Sequence, residues 1–489
     1  MSDTDPALMT AEQLLALYAS RRLSPVEALQ AVLERVARNN HWVNAFALLN
    51  PRALAQAGES EARWAVGRPM GPLDGVPVTV KDLLNVQGMP TRRGSKTTDA
   101  TPATEDAPAV IGLKAAGAVI LGKTTTTEFG WKTPGDCPLH GITRNPWNSQ
   151  RTVGGSSSGA AAAGAAGFGP LHIGTDAGGS IRIPAAYCGL VGLKPSYGRI
   201  PQWPHSAFGQ VSCAGPMTRS VRDAALMLSA MAQPDIRDPY CVHEPPRDWR
   251  EGLEDGVAGL RVAVVRRLGY APPVDAEGEA AVLAAAQMLS RHGAIVEDAD
   301  PELPDTRHIF GRVWGVAQAR LVNTMAPEKR ALLDRGLEEV AEREGGMSAV
   351  DFLGAEALRT EAAHAMARFH LKYDLVLCPT TPTAAFDADA PTLKPTEALW
   401  RDWAPWTFTF NLTRQPAITV PFGLDEHNMP RGVQLAAAQL RDDLCLRAAR
   451  VLERGLAAQA PVEAPEAARA CAHRHDHDHG HDHGHGHHH

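Results

Sequence analysis

The sequence predicts an α/β fold built on a large, mostly internal β-sheet, on three observations. Short apolar runs bounded by turn signals alternate with amphipathic helical segments as far as about residue 230. Strand texture returns at 374–378 after a long helical stretch, so that stretch reads as an excursion packed on one continuous domain. The chain's 489 residues, 44% hydrophobic and 21% charged, supply a core large enough for such a sheet.

Two helices open the chain. Thr10-Ala11-Glu12-Gln13 fits a capping box, and Ser24-Pro25-Val26-Glu27 repeats it with proline at the first helical position. Leu14, Leu15 and Leu17, then Leu29, Val32, Leu33 and Val36, recur at helical spacing and give each helix a face for the core. Asp74-Gly75 signals a turn, and Val76-Pro77-Val78-Thr79-Val80 alternates as a strand that ends on Lys81-Asp82. Residues 107–117 read as a helix closed by glycine, and 118–121 as a short buried strand. Residues 231–260, with Pro234, Pro239, Pro245 and Pro246, read as a surface excursion. A strand at 260–265, a helix at 277–292 and a strand at 294–297 follow, and 306 to about 373 is mostly helical by pattern. No internal repeat is visible.

A formal net charge of −7 without a basic stripe argues against nucleic acid and against a polybasic membrane patch, which leaves a small molecule as the expected partner. No apolar run approaches the length of a membrane span, and Met1-Ser2-Asp3-Thr4-Asp5-Pro6 lacks the pattern of a signal peptide, so a cytoplasmic location is expected. Seven scattered cysteines with no C-x-x-C pair argue against a disulfide framework and a cysteine-rich zinc site.

Three motifs compete for the chemistry. Gly117-Ala118-Val119-Ile120-Leu121-Gly122-Lys123-Thr124 satisfies the P-loop spacing, but its interior is a buried-strand sequence following a helix, where a phosphate cradle needs loop backbone after a strand. Gly155-Ser156-Ser157-Ser158-Gly159 fits a nucleophile elbow centred on Ser157, yet the residues before it, 145–151, read as loop. An elbow also needs a histidine base, and His140, His172, His205 and His308 come with no local signature. The third constellation joins Lys81 to two glycine-serine turns, Gly154-Gly155-Ser156 and Gly178-Gly179-Ser180. A lysine closing an apolar strand is stranded at the edge of a core, which lowers its pKa and makes its neutral amine a competent base. The turn before Ser180 can converge its backbone N–H groups on one oxygen, and Ser156 can bridge the two. Taken singly, a solvated lysine and turn-forming serines explain these residues as well.

The constellation resembles the amidase signature family of serine hydrolases, and the likeness runs from the N-terminal helices to about residue 455. It rests on Leu73-Asp74-Gly75-Val76-Pro77-Val78-Thr79-Val80-Lys81-Asp82, on Gly122-Lys123-Thr124 through Glu128-Phe129-Gly130, on 154–159 with 174–182, and on Gln415-Pro416-Ala417 through Gly432-Val433-Gln434. The resemblance implies the amidase signature fold, a large mixed central sheet covered by helices on both faces. It implies a domain over 1–470, with a more variable, partly helical portion at 231–400. By the same resemblance Ser180 is the nucleophile, Ser156 a bridging serine after a cis peptide, and Lys81 the base, with oxyanion N–H groups from Ala177, Gly178, Gly179 and Ser180. Asp176 and Arg182 are expected to brace the loops. Arg414 and Ala436 stand where the family usually has glycine.

The implied reaction is amide hydrolysis through an acyl-enzyme, with no cofactor required. The segment 129–147 looks most like the branch of aryl acylamidases and 6-aminohexanoate cyclic-dimer hydrolases. Phe129, Trp131, Trp203, Phe208 and Trp314 are expected to border the substrate, with Trp403, Trp406 and Phe408 as a cover; together they suggest a small apolar or aryl amide or a nylon-oligomer-type amide. A carbamate hydrolase and an amidotransferase of the A type, working with a partner, are the alternatives. A homodimer is left open.

From Cys471 onward the chain is a low-complexity tail of His, Asp and Gly, with ten of the twenty histidines between His473 and His489. Such a segment binds Ni²⁺ or Zn²⁺ through imidazole without fixing a geometry, either as a purification tag or as a native metal-storing tail. Deleting residues 472–489 is expected to abolish metal retention and leave amide hydrolysis unchanged. Loss of hydrolysis that zinc or nickel restores would contradict that expectation.

Overall fold

The computed structural model describes residues 5–391, 393 and 400–456. The His-rich tail and Cys471 lie outside the described residues. Among the described residues eleven strands form one sheet: β1 (Phe46–Leu49), β2 (Pro77–Lys81), β3 (Val119–Thr124), β4 (Leu171–Asp176), β5 (Val191–Lys194), β6 (Cys213–Thr218), β7 (Arg261–Val264), β8 (Ile295–Asp298), β9 (Leu375–Pro379), β10 (Ala417–Leu424) and β11 (Pro430–Ala437). Their spatial order is β1-β3-β2-β4-β6-β5-β10-β11-β9-β7-β8. β2 runs parallel to β3 and β4, and β7 parallel to β8 and β9; the other pairings are antiparallel. Parallel neighbours need crossovers, and helices Pro108–Ala115, Ser158–Ala165 and Ala276–Arg291 fall between such strands. The stretch at 231–400 adds β7, β8 and β9 to one end of this sheet rather than forming a second one.

Both opening helices carry their capping boxes as expected, from Thr10 to Gln13 and from Ser24 to Glu27. Strand periodicity sorts the core. Val78, Val80, Ile120, Leu171 and Ile173 pack on one face with Leu113, Leu226 and Leu452, while Val119 and Leu121 join Leu29, Val32 and Ala160 on the other. Helices therefore cover both faces. Because alternate residues of β2 point opposite ways, Thr79 and Lys81 lie on the face away from Val78 and Val80. Thr79 Oγ1 accordingly meets His172 Nδ1 of β4 at 2.8 Å, two residues before Lys81.

Two readings shift. The strand expected at 118–121 runs on to Thr124, because Lys123 is buried against Asp82, with Nζ 2.8 Å from Oδ1 and further bonds to Pro90 O and Thr91 Oγ1. The P-loop match is thus a buried strand whose lysine neutralises a carboxylate. The segment expected as loop before Ser157 contains a small hairpin, Arg144–Asn145 with Asn148–Thr152. Its sequence is too polar to show alternation; Asn145 holds it instead, donating from Nδ2 to Thr152 O at 3.0 Å and Tyr187 O at 2.9 Å. The six cysteines in the described residues are free and buried. Among those residues no helix is long and apolar enough to cross a membrane, and no cluster of three His, Cys, Asp or Glu side chains could hold a metal ion.

Candidate active site

Lys81, at the end of β2, is fully buried. Its Nζ stands 2.7 Å from Ser156 Oγ, 2.9 Å from Ser157 Oγ and 2.9 Å from Thr175 Oγ1, and among the described residues no carboxylate touches it. Burial holds its pKa well below the usual lysine range, against an opposing pull from Asp176. Asp82, next in sequence, turns away as strand geometry requires and is held by Lys123 and by the N–H of Arg92. A neutral amine has two N–H groups and one lone pair. Ser157 Oγ donates to Thr175 O at 3.1 Å, so its proton is committed elsewhere and it serves the lysine as an acceptor. Of the two serines, Ser156 is the one whose hydroxyl is left to donate into the lone pair. Ser157 and Thr175 were not singled out from the sequence as neighbours of the lysine, although both sit inside the two glycine-serine stretches.

The peptide Gly155-Ser156 is cis, and Ser157 N–H donates to Ser180 O at 3.2 Å, pinning one turn to the other. Ser156 and Ser180 open on the same cavity. Behind Ser180, Asp176 and Arg182 form a fully buried ion pair, Nε to Oδ2 at 2.9 Å and Nη2 to Oδ1 at 3.0 Å. Arg182 also donates to Thr407 O, Gln434 Oε1 and Asn411 Oδ1 at 2.6–2.8 Å. Burial alone would raise the Asp176 pKa, but Arg182 and Asn411 bring it below the usual carboxylate range. The bracing expected of these two residues is what they do. Their network also explains Gln434 in the C-terminal landmark.

One expectation is corrected by this brace. Gly179 N–H donates to Asp176 Oδ1 at 2.8 Å, so this amide is turned to the carboxylate and away from an oxyanion, leaving Ala177, Gly178 and Ser180 as the candidate donors. Gly179 itself has φ +124°, and a Cβ there would stand 2.3 Å from Thr407 Oγ1; that hydroxyl donates to Gly178 O at 2.8 Å.

The cavity holds about 170 Å³. Phe129, Trp203 and Phe208 line it as expected, with Leu83, Leu84 and Leu321 completing its apolar part. Trp131 and Trp314 do not line it. Trp314 is sandwiched in an aromatic column, stacked on Phe208 at 3.8 Å and on Phe310 at 5.1 Å, and Phe310 stacks in turn on Phe408 at 4.2 Å. Trp131 is buried in the same cluster and its carbonyl accepts from Trp400 Nε1. Trp403, Trp406 and Phe408 are fully buried core residues and do not line the cavity. Aromatic count in the sequence could not separate lining from backing, since the column under the wall needs the same residue types. Arg93 and Gln202, which the sequence does not single out, also line the cavity, as does His205, one of the four histidines weighed as an elbow base. Arg414 occupies the left-handed region with φ +62°, the conformation for which glycine is usual; its side chain bonds Gln210 and lies over Tyr197, outside the cavity lining. Ala436 is a buried strand residue of β11.

Residues 27–446 match the Amidase family. An acylamidase of Rhodococcus erythropolis is 37% identical over 92% of this chain and 96% of its own length. The A-type chain of the Glutamyl-tRNA(Gln) amidotransferase of Anaeromyxobacter sp. (strain K) is 36% identical over 91% of this chain and 95% of its own. The crystal structure of a bacterial aryl acylamidase superposes with a TM-score of 0.85 at 27% identity, covering 91% of this chain and 96% of that one. A 6-aminohexanoate cyclic dimer hydrolase complexed with substrate gives 0.84 at 30% identity, covering 93% and 99%.

Gly179→Ala should displace the turn that carries Ser180, since the added carbon clashes with Thr407 and the backbone angle disfavours any side chain. A shift of about 1 Å costs on the order of 10²-fold in kcat. Steady-state kinetics beside a thermal melt reads this; wild-type kcat would contradict it.

Proposed function

Because the chain belongs to the amidase family, whose members cleave carbon–nitrogen bonds, we propose that Lys81, Ser156 and Ser180 form its proton relay and that it hydrolyses a small apolar or aryl amide through an acyl-enzyme. The observation that carries this reading is Lys81 Nζ, sealed from water, 2.7 Å from Ser156 Oγ and free of any carboxylate partner among the described residues. Neutral Lys81 takes a proton from Ser156, and Ser156 takes one from Ser180 as its Oγ bonds to the amide carbonyl carbon. The oxyanion forms against the amides of Ala177, Gly178 and Ser180. The proton returns through Ser156 to the leaving nitrogen as the C–N bond breaks. Water, activated by the same relay, then releases the acid from Ser180.

The substrate class is supported by size and lining. A volume of about 170 Å³ is close to the roughly 150 Å³ of an apolar cavity that accepts benzene. Phe129, Trp203 and Phe208 supply aromatic walls. The acylamidase, aryl acylamidase and cyclic-dimer hydrolase relatives point the same way. A second reading, an amidotransferase component that works with a partner, is favoured by the 36% identity to the A-type chain of a Glutamyl-tRNA(Gln) amidotransferase. Carbamates are a third substrate class for the same relay.

Purified chain without any partner should hydrolyse members of a panel of aryl amides, lactams and carbamates, aryl amides fastest. Ser180→Ala, Ser156→Ala and Lys81→Ala should each lower kcat by about 10³-fold or more with the fold intact, and Ser157→Ala by much less. Turnover only when a partner protein is added would favour the amidotransferase reading. An essential Ser157 with a dispensable Ser180 would replace this relay by an elbow centred on Ser157.

A further inference from the structure

The catalytic cavity shares two wall residues, Arg93 and Phe129, with a wider outer hollow of about 470 Å³ lined also by Asp99 and Lys329. Both have left-handed backbones, φ 54° and 50°. Residues other than glycine seldom adopt that conformation, and it concentrates at functional sites. The two are tied together, Phe129 N–H donating to Arg93 O at 2.8 Å, while Arg93 N–H donates to Asp82 O at 3.1 Å. Arg93 is thus fixed at the partition between the two spaces.

Arg93 is half-buried, and among the described residues no hydrogen bond or ion pair engages its guanidinium. Asp82, the carboxylate within Coulombic reach, is already taken by Lys123 at 2.8 Å and by Arg92 N–H at 3.1 Å. Other inward arginines are satisfied: Arg182 by Asp176, Arg199 by Glu244, and Arg359 by Leu412 O and Glu356. Burial pulls the Arg93 pKa below the usual arginine value, against an opposing pull from Asp82. Among the described residues no Asp or Glu lines the catalytic cavity, and Arg93 is the one lining residue with a permanent charge. Five N–H donors in a planar fork, on a residue that lines this cavity and that no acceptor among the described residues engages, match a carboxylate gripped by two parallel hydrogen bonds.

We propose that Arg93 sets specificity: the enzyme prefers amides bearing a carboxylate, which the guanidinium binds while Ser180 faces the scissile carbonyl. This rests on the hydrolase reading above. Two matched pairs test it, butyranilide against N-phenylsuccinamic acid for a carboxylate on the acyl side, and acetanilide against 4-acetamidobenzoate for one on the amine side. Wild type should show a kcat/KM at least tenfold higher for the carboxylated member of one pair, and Arg93→Met should lower that ratio at least tenfold, with Arg93→Lys between the two. A wild-type ratio below tenfold in both pairs, whether or not either amide is turned over, overturns the proposal, as does a ratio that Arg93→Met changes less than tenfold. If Arg93→Met does not fold, the wild-type ratios and the fall expected in Arg93→Lys decide alone. Fluorophosphonate labelling of Ser180 separates the two ideas. Labelling with no carboxylate preference leaves the hydrolase reading standing and removes this one, whereas an unreactive, dispensable Ser180 removes the hydrolase reading itself.

Discussion

A lysine nitrogen held out of water, within hydrogen-bond reach of hydroxyl oxygens and in contact with no carboxylate of the described residues, is the constraint around which this molecule is arranged. Burying an amine is costly when it is charged and much less so when it is neutral. The fold meets that constraint by ending β2 inside the core and covering its end with the turn that carries Ser156 and Ser157 and with Thr175 of β4. The nearby charges that would pull the proton back are occupied. Asp82 belongs to Lys123, and Asp176 belongs to Arg182.

The second requirement is that the two glycine-serine turns keep one relative position. Arg182 does this from beneath, linking Asp176 on β4 to Thr407, Asn411 and Gln434, residues more than 200 positions later in the chain. A buried pair of this kind gives little net stability, but removing one partner strands the other charge and costs about 3–5 kcal/mol. The Asp176 carboxylate has a further effect, because it captures Gly179 N–H and so decides which amides of the turn remain for an oxyanion. The aromatic column from Phe208 through Trp314 and Phe310 to Phe408 supports the same turn from the side; a Cβ on Gly178 would meet Phe310 Cζ at 2.8 Å.

Much of this was legible in the sequence, and the reasons differ by residue. The alternation of β2, the two capping boxes and the turn glycines are local signals, so the strand ending on Lys81 and the turns bearing Ser156 and Ser180 could be read one segment at a time. Their convergence could be read only through the order of several landmarks along the chain. What stayed hidden depended on distant packing. The P-loop match at Lys123 could be set aside from its strand-like interior, but not that its lysine is paired with Asp82, and Trp314 looked like a pocket wall until Phe208 was found between it and the cavity. Arg93 gave no signal at all: a polar loop residue in Thr91-Arg92-Arg93-Gly94 becomes notable only when the neighbouring carboxylate proves to be taken.

The central claim is that Lys81 works as a neutral base. An exposed lysine titrates near 10.4 and would be almost wholly charged at neutral pH. Burial lowers that value in the folded enzyme, so kcat/KM should be low where Lys81 is protonated, rise as it loses its proton, and stay high into the alkaline range. The measurement is the pH dependence of kcat/KM for the wild-type enzyme beside Lys81→Arg, whose guanidinium keeps its proton at any working pH. The account predicts an acidic limb well below about 10.4 in the wild type and activity lost at every pH in the variant. Near-wild-type turnover in Lys81→Arg, with the same acidic limb, would contradict it.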